Sequence, residues 1–279
     1  MKCRDCEDAG LVLFPPKNGD TTADSSNDQF RDARVRYVRN AQNVGSAANF
    51  TQSFGLVSGS YFKWMAADDM LAAGYLRACV QILEEDPSVV LVTTKPTLVD
   101  EDGRTPLTYD ASRGVFSGSY AGRPIETAAP YMADRPSDRF RGVLLSMPGK
   151  AINNFGQGLM RSEFVRRQLP LGSYLGWDKV FLAGLSLHGK LAMVNESLFI
   201  WRHHKEQFSM MNRDDARKAI DPAEDGRAWR TSQVKAYARA VMASPISMGE
   251  KARCLVALSE KVVQGSMQQV PWRGALDRL

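Results

Sequence analysis

Gly59-Ser60-Tyr61-Phe62-Lys63-Trp64-Met65-Ala66-Ala67-Asp68-Asp69 decides the fold. The aromatic core of this run has the compactness of a buried strand, and it stops at two adjacent acids. Downstream, Leu71, Tyr75, Leu76, Cys79, Val80 and Leu83 form a helical stripe that Asp86-Pro87 breaks, and Val89-Val90-Leu91-Val92-Thr93-Thr94 is the strongest β-prone run in the chain. Upstream, Val35, Tyr37 and Val38 predict a short strand, and Asn43-Val44-Gly45-Ser46 opens a helix marked by Ala48, Phe50, Phe54 and Val57. Strand, helix, strand, helix, strand is the alternation of an α/β domain with a largely parallel sheet. Ligands of such sheets bind beyond the carboxyl ends of the strands, where the acids stand.

The remainder is less regular. Leu98 to Arg104 predicts a strand entering a turn, with Gly103 supplying the positive φ, and residues 105 to 135 show no durable period. Short helices are expected at Phe140 to Leu145 and Glu163 to Gln168, and a longer one from Trp177 to His188, with Gly189 as its C-cap. Two brief strands, Leu191 to Val194 and Leu198 to Trp201, lead into Arg202-His203-His204-Lys205, and from Ala228 the chain reads as amphipathic helix interrupted by Pro245 and Pro271. Residues 1 to 33 read as a poorly ordered leader, 34 to 210 as the α/β domain and 211 to 279 as a helical extension.

Composition narrows the function classes. The 279 residues include 44% hydrophobic and 24% charged side chains, which excludes long disordered and fibrous classes. The charge-free stretch between Arg39 and Lys63 is too rich in Asn, Gln, Ser and Thr to be a membrane span, and no apolar segment follows Met1-Lys2-Cys3-Arg4-Asp5 to make a signal peptide. Cys3, Cys6, Cys79 and Cys254 are too few and too scattered for a disulfide framework, so a reducing cytoplasm is expected. Cys3-x-x-Cys6 lacks a second ligand pair for zinc. A net charge of +5 is mild, and a nucleotide phosphate explains it as well as nucleic acid does; interleaved basic and aromatic residues are too few to support nucleic-acid binding.

The acids carry the chemistry. Adjacent carboxylates can hold a divalent cation through oxygen while leaving positions open for phosphate and water, which suits Mg²⁺ or Mn²⁺. Taken alone, Asp68-Asp69 reads first as a helix cap, with Asp69 the N-cap of a helix starting near Leu71, and only second as a metal site.

Context changes that reading. Arg36-Tyr37-Val38-Arg39-Asn40, Asn43-Val44-Gly45, Asn49-Phe50, Gly59 to Trp64 and Asp68-Asp69 together resemble family 2 glycosyltransferases. So do Val99-Asp100-Glu101-Asp102-Gly103-Arg104, Phe155-Gly156-Gln157-Gly158-Leu159-Met160-Arg161 and Gly176-Trp177-Asp178-Lys179-Val180-Phe181-Leu182. The resemblance implies a GT-A-like, Rossmann-like domain with a mostly parallel sheet flanked by helices, followed by a C-terminal helical tail. It implies a nucleotide-diphosphate sugar as donor, a hydroxyl on a glycan or lipid-linked glycan as acceptor, and Mn²⁺ or Mg²⁺ as cofactor. By the same resemblance Asn43, Gly45, Asn49, Asp68 and Arg202 line the donor, Asp69 and His204 hold the metal, and Asp178 is the general base.

Two departures from the family pattern stand out. Ala66 and Ala67 occupy positions where relatives place the first acid, leaving the D-x-D motif degenerate. The usual first strand and its Asp-rich successor are replaced by Leu11 to Pro16 and Asp20 to Asp28, which resemble them only faintly. A sequence so altered in front is open to a second reading, a non-catalytic remnant that binds a partner. In the tail, Lys235, Arg239, Lys251, Arg253 and Lys261 among apolar residues predict either packing on the domain or peripheral membrane contact.

Overall fold

The computed structural model describes residues 11–13, 35–38, 40, 44–66, 68–107, 109–110, 115–116, 128–146, 154–204, 213–220 and 229–267. Along the chain lie β1 (Leu11–Leu13), β2 (Val35–Tyr37), α1 (Ser46–Phe54), β3 (Tyr61–Phe62), β4 (Met70–Leu71), α2 (Tyr75–Glu85), β5 (Val89–Val99), β6 (Tyr109–Asp110) and β7 (Val115–Phe116). They are followed by α3 (Pro136–Leu145), β8 (Leu159–Arg161), α4 (Ser162–Arg166), α5 (Trp177–Ser186), β9 (Lys190–Arg202), α6 (Arg213–Ile220), α7 (Trp229–Ala243) and α8 (Met248–Met267).

The Val-rich run forms the centre of the main sheet because it is apolar on both faces: Val89 to Thr94 are all buried. Strand order is β3-β8-β5-β9-β4, with β5 and β9 parallel from Val89↔Lys190 to Val99↔Arg202. The α/β class holds, but the sheet is mixed where a mostly parallel one was expected. β3, β5 and β9 do run the same way, as the alternation requires. β8 inserts between β3 and β5, and β4 lines the outer edge of β9, both antiparallel. Neither two- or three-residue strand had enough length to register as a period. β1 and β2 pair in parallel as a separate ribbon.

Other boundaries also moved. Leu71 belongs to β4, opposite Phe199, and α2 begins only after Gly74, whose φ of +92° stops the helix from reaching back. The two predicted strands at 191–201 are one, β9, since its irregular register with β5 absorbs the polar Asn195-Glu196-Ser197. α5 ends at Ser186 with Leu187 as C-cap, ahead of Gly189.

The sheet is covered on both sides. α2 seals one face with Tyr75, Cys79 and Leu83 against Val89, Val92 and Phe199. The other face carries the larger core, in which Leu91, Phe140, Phe181 and Leu191 meet Tyr237 and Val241 of α7 and Cys254 and Leu258 of α8. The C-terminal helices therefore pack on the domain through these residues, while Met242, Val256 and Val263 stay exposed. No described helix is long and apolar enough to cross a membrane.

Candidate functional site

The parallel pair sets the site. Val99 lies beside Arg202, so the carboxyl ends of β5 and β9 coincide, and β4 brings the preceding acids to that rim. The Arg202 backbone N–H donates to Asp69 Oδ1 at 3.2 Å, and His204 Nε2 stands 2.7 Å from Asp68 Oδ2. Four residues singled out in sequence, Asp68, Asp69, Arg202 and His204, are thus assembled from segments over 130 positions apart. Asp69 is not a helix cap: the N-cap of α2 is Gly74.

The two acids differ sharply in surroundings. Asp69 is buried, and burial first, then the Asp68 charge, raises its carboxyl to about 6 against opposing help from the Arg202 N–H, Gln157 and Lys63. Asp68 is only partly buried and faces the imidazole. Behind Asp69 lies Lys63, whose ammonium donates to the Trp64 and Gln157 carbonyls and sits 5.2 Å and 5.0 Å from the Tyr75 and Phe199 ring centroids. Burial lowers its amine to about 8, with Cys79 and Asp69 acting the other way. Lys63 and Gln157 were quoted in the sequence only as parts of motifs. A lysine inside an aromatic strand was the available signal.

Gly103 closes the rim. Its φ is +72°, and a Cβ there would come within 2.8 Å of the Arg202 guanidinium, whose Nε is buried without a hydrogen-bond partner among the described residues. Asp102 shapes this turn by accepting from the Arg104 and Thr105 backbone N–H groups at 2.6 and 2.9 Å.

An aromatic wall joins the rim to the second half of the site. Phe62, Trp64, Phe50 and Trp177 follow one another with centroids 4.9 to 5.4 Å apart, and the Trp64 indole N–H donates to Ser53 Oγ at 3.0 Å. Phe50 belongs to α1, whose N-cap is buried Gly45 with φ +78°. Asn49, beside it, accepts from the Asn40 amide at 3.2 Å. Asn43 lies outside the described residues.

Trp177 carries Asp178. The N-cap of α5 is Gly176, at φ +83°, which places Asp178 in the first turn. Its side chain is exposed. Surrounding protein nevertheless desolvates the carboxyl and raises its pKa, opposed by the Lys179 backbone N–H and ammonium. A desolvated carboxylate gains basicity.

Among the described residues no three His, Cys, Asp or Glu side chains converge to hold a metal ion. Asp68 and His204 meet each other at 2.7 Å as a hydrogen-bonded pair, an oxygen and a nitrogen that a Mg²⁺ or Mn²⁺ ion could take up by replacing that bond. Hard cations of this kind complete their shells with phosphate oxygens and water, so the pair fits as a partial site.

Residues 20–134 match the family described as Glycosyl transferase family 2. The match starts within the segment read as a leader. No curated protein matches. Among solved structures, S. aureus TarS 1-349 in complex with UDP-GlcNAc superposes with a TM-score of 0.60 at 9% identity, over 94% of this chain and 67% of that one. A second structure of TarS 1-349 gives 0.59 at 9% identity over 96% and 66%, and a longer TarS chain gives 0.55 at 11% identity over 94% and 40%. The chain thus spans about two thirds of the 349-residue TarS fragment and less than half of the longer chain. The fold is that of GT-A glycosyltransferases.

Proposed function

We propose that this chain is an inverting glycosyltransferase that moves a sugar from a nucleotide-diphosphate sugar to a hydroxyl of a glycan or lipid-linked glycan in cell-surface polysaccharide or glycolipid synthesis. The observation that carries the reading is the assembly of Asp68, Asp69, Arg202 and His204 at the coincident carboxyl ends of β5 and β9, in a chain that matches family 2 over residues 20–134. The UDP-GlcNAc complex of TarS supports a nucleotide-sugar donor for a protein of this fold.

Asp178 accepts the proton of the acceptor hydroxyl as that oxygen attacks the anomeric carbon. The bond from that carbon to the diphosphate oxygen breaks, and the nucleoside diphosphate departs with the bonding pair. Arg202 binds the diphosphate through its guanidinium. Asp68 and His204 hold Mn²⁺ or Mg²⁺, which when bound offsets the charge of the diphosphate. Asp69, ligand by family resemblance, stands behind them and fixes the Arg202 backbone. Gly45 and Asn49 form the donor side together with Asn43.

The transferase domain spans 34–210, with 211–279 as a helical extension, and the protein works in the cytoplasm against the inner membrane face. Lys235, Arg239 and Arg253 are exposed for that contact, whereas Lys251 and Lys261 donate to the Met242 and Leu144 carbonyls. Sedimentation with anionic liposomes tests it, and absence of pelleting rejects it.

The central test is thermal melting of the whole chain with UDP, GDP or TDP, each with and without Mn²⁺, alongside Asp69→Ala. A ligand of the native state alone raises the melting temperature as its concentration rises. A manganese-dependent rise with one nucleotide, lost in the variant, is expected. A cooperative melt unmoved by every nucleotide would reject the donor site.

A further inference from the structure

Helix α7 meets the segment that carries Asp178. Gln233 and Tyr237 stand one turn apart on α7. Gln233 Nε2 approaches the Leu175 and Gly176 carbonyls at 3.5 Å, and a Cβ on Gly176 would fall 2.4 Å from that nitrogen. Tyr237 is only 1% exposed, with its ring perpendicular to that of Phe140 at 6.1 Å. Its hydroxyl has no hydrogen-bond partner among the described residues. The Asp178 carboxylate and Tyr174 act electrostatically on that hydroxyl.

A phenol sealed from water without a partner is costly, and phenylalanine would fill the same apolar space without that cost. The hydroxyl sits in the field of the Asp178 carboxylate, to which the Lys179 backbone N–H also donates. Catalytic hydrogen bonds are often unformed before the site is loaded.

We infer that Tyr237 is a positioning residue for Asp178: its hydroxyl donates a hydrogen bond to the Asp178 carboxylate and holds it toward the acceptor. The donor is the Tyr237 O–H, and the acceptor oxygen is the one Asp178 does not use for the incoming proton. The C-terminal helices, outside the matched residues 20–134, thereby become part of the reacting site. The catalytic side of this inference rests on the transferase reading, whereas the hydrogen bond itself does not.

Carboxyl ¹³C titration of the whole chain by NMR, with Asp178 assigned from Asp178→Asn, tests the bond in wild type and Tyr237→Phe. The spectra are taken alone and with UDP and Mg²⁺. Loss of a donor to the charged form raises a carboxyl pKa, so Asp178 should titrate higher in Tyr237→Phe. The other charges acting on this cluster, Lys179 on Asp178 and Arg239 on Tyr174, are retained in the variant. Identical Asp178 titrations in both conditions would overturn the inference. UDP release from UDP-GlcNAc with Mn²⁺ reads the catalytic side. Tyr237→Phe should lower kcat about 10-fold or more and leave the donor KM and the melting temperature intact. Wild-type kcat in the variant overturns the positioning role. A wild-type protein that releases no UDP instead overturns the transferase reading for this donor, while the titration still decides the hydrogen bond.

Discussion

His204 Nε2 and Asp68 Oδ2 stand 2.7 Å apart across 136 residues of chain, at the rim where β5 and β9 end together. The pair links the last strand of the sheet to the acid-bearing loop before β4. If it holds the donor's cation, His204→Ala and Asp68→Ala should each weaken Mn²⁺-dependent UDP binding by about 10–100-fold. The double variant should lose little more than either single one, since the two act as a unit. Calorimetric titration measures all four proteins. Unchanged manganese dependence in both single variants would remove the pair from the metal site.

Asp69 is expected to oppose stability. Its folded pKa, about 6, lies above the unfolded value near 3.8, because burial and the Asp68 charge disfavour ionisation. The native state therefore holds more protons between those values, and stability falls as pH rises from about 4 through about 6. Asp69→Asn can still accept from the Arg202 N–H and carries no buried charge, so it should be more stable than wild type at pH 7.5 by about 1–3 kcal/mol. Urea unfolding at pH 4 and pH 7.5 checks the sign: the advantage should shrink at the lower pH. An equal difference at both would mean that Asp69 does not titrate in this window.

Much of this site was legible because its parts sit at ends of long, strongly patterned elements. Val89 to Thr94 identified β5 by apolar continuity, whereas the acids, Arg202 and His204 were singled out through the resemblance to family 2 glycosyltransferases. The mixed sheet was not legible. β4 and β8 are too short to show a period, and their placement comes from tertiary pairing of Leu71 with Phe199 and Met160 with Leu91. Lys63 was visible only as a charge in an aromatic strand. Tyr237 had no local signal, since its meaning depends on α7 lying against α5, a contact between segments about 60 residues apart.

Gly103 is required twice over, by backbone and by space. Its φ of +72° disfavours any side chain, and an added methyl would press on the Arg202 guanidinium at 2.8 Å. Gly103→Ala should cost about 1–2 kcal/mol from the backbone term. Because Arg202 must also move, nucleotide affinity should fall even where the variant remains fully folded. Thermal melting and UDP titration on the same sample separate the effects. A variant with reduced stability and intact UDP affinity would show that Arg202 does not contact the diphosphate.

A stabilising carboxylate is expected at Glu250, far from the site. Its Oε2 accepts from the Ser137 backbone N–H at 2.8 Å in the first turn of α3, and its other oxygen pairs with Arg253. An anion at a helix N-terminus satisfies an otherwise orphaned donor and complements the helix dipole. Burial alone would raise this carboxyl, but the bonds from Arg253 and Ser137 prevail and hold it at about 2, below its ordinary 4.5. The depressed folded value makes its contribution complete above about pH 4.5 and progressively lost as pH falls through about 2. Glu250→Gln should therefore cost on the order of 2 kcal/mol at pH 7. The deficit should diminish at pH 3, because the wild-type carboxylate loses part of its own advantage there. Denaturant unfolding of both proteins at the two pH values measures it. A cost independent of pH would assign the role to packing of α8 on α3 and not to the ionised cap.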